Sequence, residues 1–237
     1  MTYRKNSNLF VADTETANSV LQPLPYDVGY KISDRKGNTL VRRSFLVAEI
    51  YCNCRDLMKS AYYADKLPQY EEEVKQGERV IASIHTIRKT IMEDMKNYNT
   101  NVVYAYNMNF DKKALNNDIR YITKSKYRYF FPYGTEFRCI WHMACQMLLA
   151  RPSFIKFAIN NNYISPKGNI LTNAEVCYRY ITGNIQFMEE HKGIDDVDIE
   201  TEILFACLRQ HKKMNTAPYS ACWRLVQKKR SELEKIG

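Results

Sequence analysis

Five ionisable side chains in three short stretches could do chemistry in this chain: Asp13 and Glu15 in Asp13-Thr14-Glu15, Asp111 in Asn107-Met108-Asn109-Phe110-Asp111, and His191 and Asp196 in His191-Lys192-Gly193-Ile194-Asp195-Asp196. Carboxylate oxygens suit Mg²⁺ and Mn²⁺, whereas thiolates and imidazoles select other metals. Two such cations roughly 3.5–4 Å apart would lower the pKa of an attacking water and stabilise a leaving oxygen. A histidine beside them is the base that needs least tuning to take a proton near neutral pH. Four acids and one histidine in this order therefore have the makings of a site that hydrolyses a phosphodiester.

The surrounding residues predict where these groups stand. Leu9-Phe10-Val11-Ala12 is a continuous apolar run, expected to be a central strand buried on both faces, with Asp13 and Glu15 emerging at its carboxyl end. With a period of two, both acids point to the same side. Val102-Val103-Tyr104-Ala105 is a second short strand, and Asp111 follows at the start of a helix containing Ala114 and Leu115, where an acid is equally at home as an N-cap. Ligand sites in open α/β sheets form beyond the carboxyl ends of strands, so the two sets of acids could converge. In the third stretch, Gly193 should delay helix onset, leaving His191 on a loop while Asp195 and Asp196 open the next helix. Val197, Ile203, Leu204, Cys207 and Leu208 give that helix its apolar stripe. Asp195, Asp198 and Glu200 need only favour the helix start or face water.

On these residues the chain resembles the DnaQ-like 3′–5′ exonucleases of the DEDD type, in the subgroup with a catalytic histidine. The family pattern of Asp-x-Glu, Asn-x-x-Phe-Asp and His-x-Ala-x-x-Asp is matched by Asp13 and Glu15, by Asn107, Phe110 and Asp111, and by His191 and Asp196. A sister subgroup carries tyrosine at the position of Lys192. The resemblance implies two Mg²⁺ or Mn²⁺ ions, with Asp13 bridging both, Glu15 and Asp196 completing the site of the nucleophilic water, Asp111 on the second ion, and His191 as general base. It also implies that Thr14, Thr16 and the neighbouring motif residues Asn107 and Phe110 meet the terminal nucleotide. Two departures stand out: Thr16-Ala17-Asn18 replaces the frequent Thr-Gly, and Gly193 replaces the usual Ala.

The rest of the pattern fits the family's fold, an α/β ribonuclease H-like three-layer arrangement whose mixed five-stranded sheet is implied by the resemblance. Tyr26 to Ile32 and Leu40 to Ile50 read as strands joined by a turn at Lys36-Gly37-Asn38. Residues 79–97 carry a helical stripe of Val80, Ile84, Ile87, Ile91, Met92 and Met95, and a strand near Phe137 to Trp141 runs into a helix through Leu149. Thr172-Asn173-Ala174-Glu175 has the form of a capping box, with Gly183 as the stop of the helix it opens. Residues 1–210 are expected to form one exonuclease-like domain, with a basic and aromatic insertion at about 117–133. Residues 211–237 would add a basic helical extension whose simplest role is to cover the sheet.

Charge and cysteine usage bound the partners. The net charge of +9 and pI near 9.1 suit a polyanion. In the insertion, Arg120, Lys124, Lys126 and Arg128 interleave with Tyr121, Tyr127, Tyr129, Phe130, Phe131 and Tyr133, the combination that grips single strands, although solvated charges over packed rings would look the same. Seven cysteines, an odd number without framework spacing, point to a reducing compartment. Cys139, His142 and Cys145 lack an evident fourth zinc ligand. No apolar run reaches membrane-spanning length, so the expectation is a cytoplasmic protein, in a host's cytoplasm if phage-encoded. The activity expected is metal-dependent removal of nucleotides from the 3′ end of single-stranded nucleic acid, DNA before RNA, in proofreading or repair beside a DNA polymerase or other replication protein. The alternatives are an RNA-trimming enzyme, or a module of the same fold that binds nucleic acid or a polymerase without cutting.

Overall fold

The computed structural model describes residues 7–59, 61 and 64–235. In chain order these form β1 (Leu9–Ala17), β2 (Leu24–Ser33), β3 (Thr39–Val47), the short helices α1 (Ala48–Tyr51) and α2 (Arg55–Lys59), α3 (Leu67–Lys75), β4 (Val80–Ala82), α4 (Ile84–Asn97), β5 (Val102–Ala105) and α5 (Met108–Thr123). There follow β6 (Glu136–Cys139), α6 (Ile140–Ala144), α7 (Pro152–Asn160), α8 (Ala174–Thr182), α9 (Gly193–Leu208) and α10 (Trp223–Glu234). The architecture is α/β, a mixed sheet flanked by helices, with strand order β4-β3-β2-β1-β5-β6.

The sheet has six strands where five were expected. The additional strand is β4, which pairs parallel with β3 through Phe45↔Val80 to Val47↔Ala82. Its residues open the stripe from which the sequence predicts a helix over 79–97. Ser83 separates the two, extended at φ −65° and ψ 152° and accepting the Thr86 N–H, so the helix begins only at Ile84. Other boundaries shift for local reasons. β1 continues past the apolar run to Ala17, because pairing with β2 persists to Ala17↔Leu24 across an irregularity at Glu15/Thr16. β3 ends at Val47, and residues 48–51 coil rather than extend the strand to Ile50.

The chain divides into two compact units. The first is assembled from Met1–Tyr104, Phe110–Glu136 and Glu190–Val197. Its centre is β1, hydrogen-bonded to β2 on one side and to β5 on the other, with Phe10 and Val11 fully buried. Phe10 stacks on Tyr30 with centroids 5.0 Å apart, and Tyr30 on Phe45 at 6.3 Å. The Tyr30 hydroxyl donates to Asp94 of α4 at 2.7 Å, and Arg43 Nε donates to the same carboxylate at 2.8 Å, which fastens α4 to the sheet. The β2–β3 turn falls where expected, with Gly37 at φ +98°.

The second unit comprises Ala105–Asn109, Phe137–Glu189 and Asp198–Gly237. The helix after β6 widens into a π-helical turn over Cys145–Leu149. Cys139, Cys145, Cys177, Cys207 and Cys222 are all buried thiols. α8 begins at Ala174 without a side-chain cap; Glu175 instead accepts the Glu189 N–H at 2.8 Å, and Gly183 ends the helix in the left-handed conformation, φ +74°. The basic helix α10 packs on α7 and the π-helical turn, and Gln227 exchanges two 3.1 Å hydrogen bonds with the backbone of Ile170.

Candidate active site

The five ionisable groups singled out by the sequence all belong to the first unit. Asp13 and Glu15 stand within β1, opposite Gly29 and Asp27 of β2. They lie inside the strand rather than beyond its end, so pairing with β2 fixes their backbone. Asp111 occupies the first turn of α5, inside the helix rather than at its cap. His191 lies in a loop at φ +51°, a left-handed conformation that costs energy for a residue with a Cβ. Asp196 is in the first turn of α9, which starts at Gly193, and is buried.

Glu15, His191 and Asp196 converge. Each presents a ligand atom, and these atoms lie within 4.8 Å of one another, the one such group of His, Cys, Asp or Glu among the described residues. Asp111 is tied to the same strand differently: the Thr14 hydroxyl, between Asp13 and Glu15 in β1, donates to its Oδ1 at 2.9 Å. Burial raises the Asp111 pKa to about 7, against the opposing effect of that hydrogen bond. A buried acid poised near neutrality is one that a neighbouring divalent cation would ionise, and oxygen donors are the ligands such a cation prefers.

The remaining predicted contacts are scattered. Thr14 is buried and spends its hydroxyl on Asp111, while Thr16 is half-buried just after the strand irregularity. Phe110 is half-buried in the first turn of α5. Asn107 is exposed in the turn before α5 and belongs to the second unit, and Arg128 is exposed beyond the end of α5. Where the family pattern has Thr-Gly, Ala17 is fully buried and the left-handed residue is the following Asn18, φ +70°. Cys139, His142 and Cys145 do not form a ligand group; the His142 Nδ1 is hydrogen-bonded to the Ala217 carbonyl at 2.8 Å.

Sequence reasoning missed the support beneath the site. Gly29 of β2 and Gly193 of α9 touch backbone to backbone: a Cβ on Gly29 would lie 2.3 Å from Gly193 C, and one on Gly193 would lie 3.0 Å from Gly29 N and 3.3 Å from Asp13 O. This close approach gives a physical reason for Gly193 where the family pattern has Ala. Beside it, the Gly193 N–H donates at 3.0 Å to Oδ2 of Asp27, a fully buried carboxylate. Asp27 lies opposite Glu15 in the strand register, but nothing in the local sequence Pro25-Tyr26-Asp27-Val28 marks it as a buried acid.

No family model and no curated protein sequence matches this chain. Solved structures do resemble it. E. coli exonuclease I in complex with a dA16 oligonucleotide aligns with 87% of this chain at 13% identity and a TM-score of 0.51, covering 44% of that protein. A zinc-bound form of an E. coli exonuclease I complex with single-stranded DNA aligns with 88% at 12% identity and a TM-score of 0.52, covering 42% of it. The chain thus spans less than half the length of these structures, and at this identity the likeness is one of fold.

Proposed function

We propose that this protein is a divalent-metal-dependent 3′–5′ exonuclease acting on single-stranded nucleic acid, with DNA as the favoured substrate and nucleoside 5′-monophosphates as products. The observation that carries the reading is the convergence of Glu15, His191 and Asp196, from positions far apart in the chain, on a fold that resembles a nuclease solved with single-stranded DNA.

Asp13, Glu15, Asp111 and Asp196 would hold two Mg²⁺ or Mn²⁺ ions. When bound, such ions acidify a water and neutralise charge on the scissile phosphate. Each chain group then has a task of its own. His191 accepts the proton of the attacking water, a role that keeps its imidazole neutral before the step and cationic after it. Thr14 orients the Asp111 carboxylate through the 2.9 Å hydrogen bond. Thr16 and Phe110 would contact the terminal nucleotide, and Asn107 is proposed separately as a nucleic-acid contact.

Beyond the site, Arg128 and the rings around it are proposed to track the strand. Tyr127, Tyr129 and Tyr133 are 82%, 59% and 108% exposed, enough surface for bases to stack on. His85, Arg88 and Arg128 line one cavity with Ile119, so three nitrogen-bearing side chains face a common space that a phosphate could enter.

The deciding experiment incubates the protein with 5′-labelled single-stranded DNA and RNA of matched sequence, with Mg²⁺, Mn²⁺ or chelator, beside an Asp13→Ala, Asp196→Ala double variant. A metal-dependent ladder shortening from the 3′ end, absent in the variant, supports the proposal and ranks the sugars. Intact label in every lane with retained binding refutes it in favour of a non-catalytic binding module.

A further inference from the structure

The His191 loop is held by a chain of charges that runs from the protein interior to its flanking residues. Arg79, in the segment before β4, has a side chain only 1% exposed. Its Nη1 lies 2.6 Å from Asp27 Oδ1, its Nε lies 2.8 Å from Glu73 Oε2, and its guanidinium covers the Tyr70 ring at 4.4 Å. The other oxygen of Glu73 accepts from Lys192 Nζ at 2.7 Å. Asp27 in turn accepts the Gly193 N–H. On the opposite side of His191, Lys66 Nζ donates to the Glu190 carbonyl. The loop is therefore gripped at 190, 192 and 193, and His191 is the residue between these anchors.

The energetics favour a device for position over one for stability. A buried ion pair returns little net stability, because desolvation offsets attraction. Burial works against the charged forms of both Lys192 and Glu73, yet their mutual contact, joined at Glu73 by Arg79, wins, leaving the Lys192 pKa raised and the Glu73 pKa lowered. The other acids facing Lys192 are Asp195 at 3.8 Å and Glu190 at 4.0 Å, both weaker contacts than Glu73. Arg suits the central place because its planar fork serves two carboxylates at once and stays charged when buried.

We propose that Asp27, Arg79, Glu73 and Lys192 form a positioning brace that holds the His191 loop, and with it the imidazole, in register with Glu15 and Asp196. Lys192 is the link on which the brace is most cleanly tested, since its closest contact is with Glu73 and not with the fully buried Asp27. The inference rests on the exonuclease reading, with His191 as base.

The test compares Lys192→Met, Lys192→Arg, Glu73→Gln and the Glu73→Gln, Lys192→Met double variant by two readouts. In steady-state cleavage of a 5′-labelled single-stranded oligonucleotide, Lys192→Met should lower kcat by about 10- to 100-fold with KM unchanged, Lys192→Arg should restore most of it, and the double variant should lose no more than either single. In amide hydrogen exchange, the peptide spanning 188–195 should exchange about tenfold faster in Lys192→Met and Glu73→Gln, with β1 unaltered. Exchange is independent of catalysis, so if the parent protein cuts nothing, the functional reading fails while the brace is still decided. A loss confined to KM would mean that Lys192 touches substrate and would overturn the proposal, as would additive losses or unchanged exchange.

Discussion

Adding one methyl group at Gly29 should disable the site from beneath. A Cβ there would lie 2.3 Å from Gly193 C, 2.5 Å from Gly193 O and 2.5 Å from Ile194 N. All three are backbone atoms, so no side-chain rotation relieves the clash. Restoring ordinary contact at 3.4 Å requires a retreat of 3.4 − 2.3, or about 1.1 Å. β2 is paired with β1 through Gly29↔Asp13 and with β3 through Gly29↔Ser44, so the strand is pinned and the start of α9 must move. That movement carries Asp196 and drags the His191 loop away from Glu15. Overpacking of this kind costs about 1–3 kcal/mol, which a domain with ordinary stability survives. A displacement near 1 Å costs on the order of 100-fold in rate. The assay is single-turnover cleavage of a 5′-labelled single strand, with a thermal melt as the control for folding. A folded Gly29→Ala protein that cuts within about threefold of the parent rate would refute the argument that this backbone contact sets the position of the catalytic groups.

Other expectations follow from individual groups. His191→Ala should depress kcat by about 100-fold or more while leaving Mn²⁺ affinity by calorimetry nearly unchanged, whereas Asp13→Ala should lose both; a parent-like rate for His191→Ala across neutral pH would dismiss it as the base. Asp118 is fully buried on α5 with no hydrogen-bond partner for either oxygen among the described residues, and burial with a contribution from Glu49 raises its pKa to about 8. Because its folded pKa lies above the unfolded one, the native state keeps a proton that the unfolded chain releases, so stability falls by about 1.4 kcal/mol per pH unit between roughly pH 4 and 8. Denaturant titrations of Asp118→Asn should show that slope removed and the protein more stable than the parent at pH 8; parallel pH profiles would contradict the assignment. Arg128→Ala should weaken single-strand binding evenly across sequences and reduce the salt slope by about 0.7, read from fluorescence anisotropy at several salt concentrations, while an unchanged slope would remove Arg128 from the phosphate path.

The legible parts of this fold were those written locally. Leu9 to Ala12 announced a buried strand because four consecutive apolar residues have no solvated face to offer, and Gly183 announced a helix stop because a left-handed residue there favours glycine. β4 was not legible: three residues preceding a strong helical stripe look like its first turn, and only the extended Ser83 separates them. The candidate catalytic residues could be picked out because carboxylates and a histidine stand in short motifs that resemble a known family pattern. Asp27, Arg79 and Gly29 could not, since a buried acid, its cation and a backbone contact are defined by what meets them across the fold. The sequence carried the candidate groups in plain view and hid the contacts that surround them.

The order in which the cluster is collected along the polypeptide has a practical consequence. Asp13, Glu15 and Asp111 precede the fully exposed turn at Tyr133 and Gly134, and His191 and Asp196 follow it. An opening of the backbone at that turn, where chains best tolerate interruption, would divide Asp13, Glu15 and Asp111 from His191 and Asp196. Neither piece would hold a complete set of groups, and only their reassociation would rebuild one. On the exonuclease reading, gathering a site from distant stretches makes this chain a natural candidate for a split reporter, silent as two fragments and active only when a tethered pair of proteins brings them together.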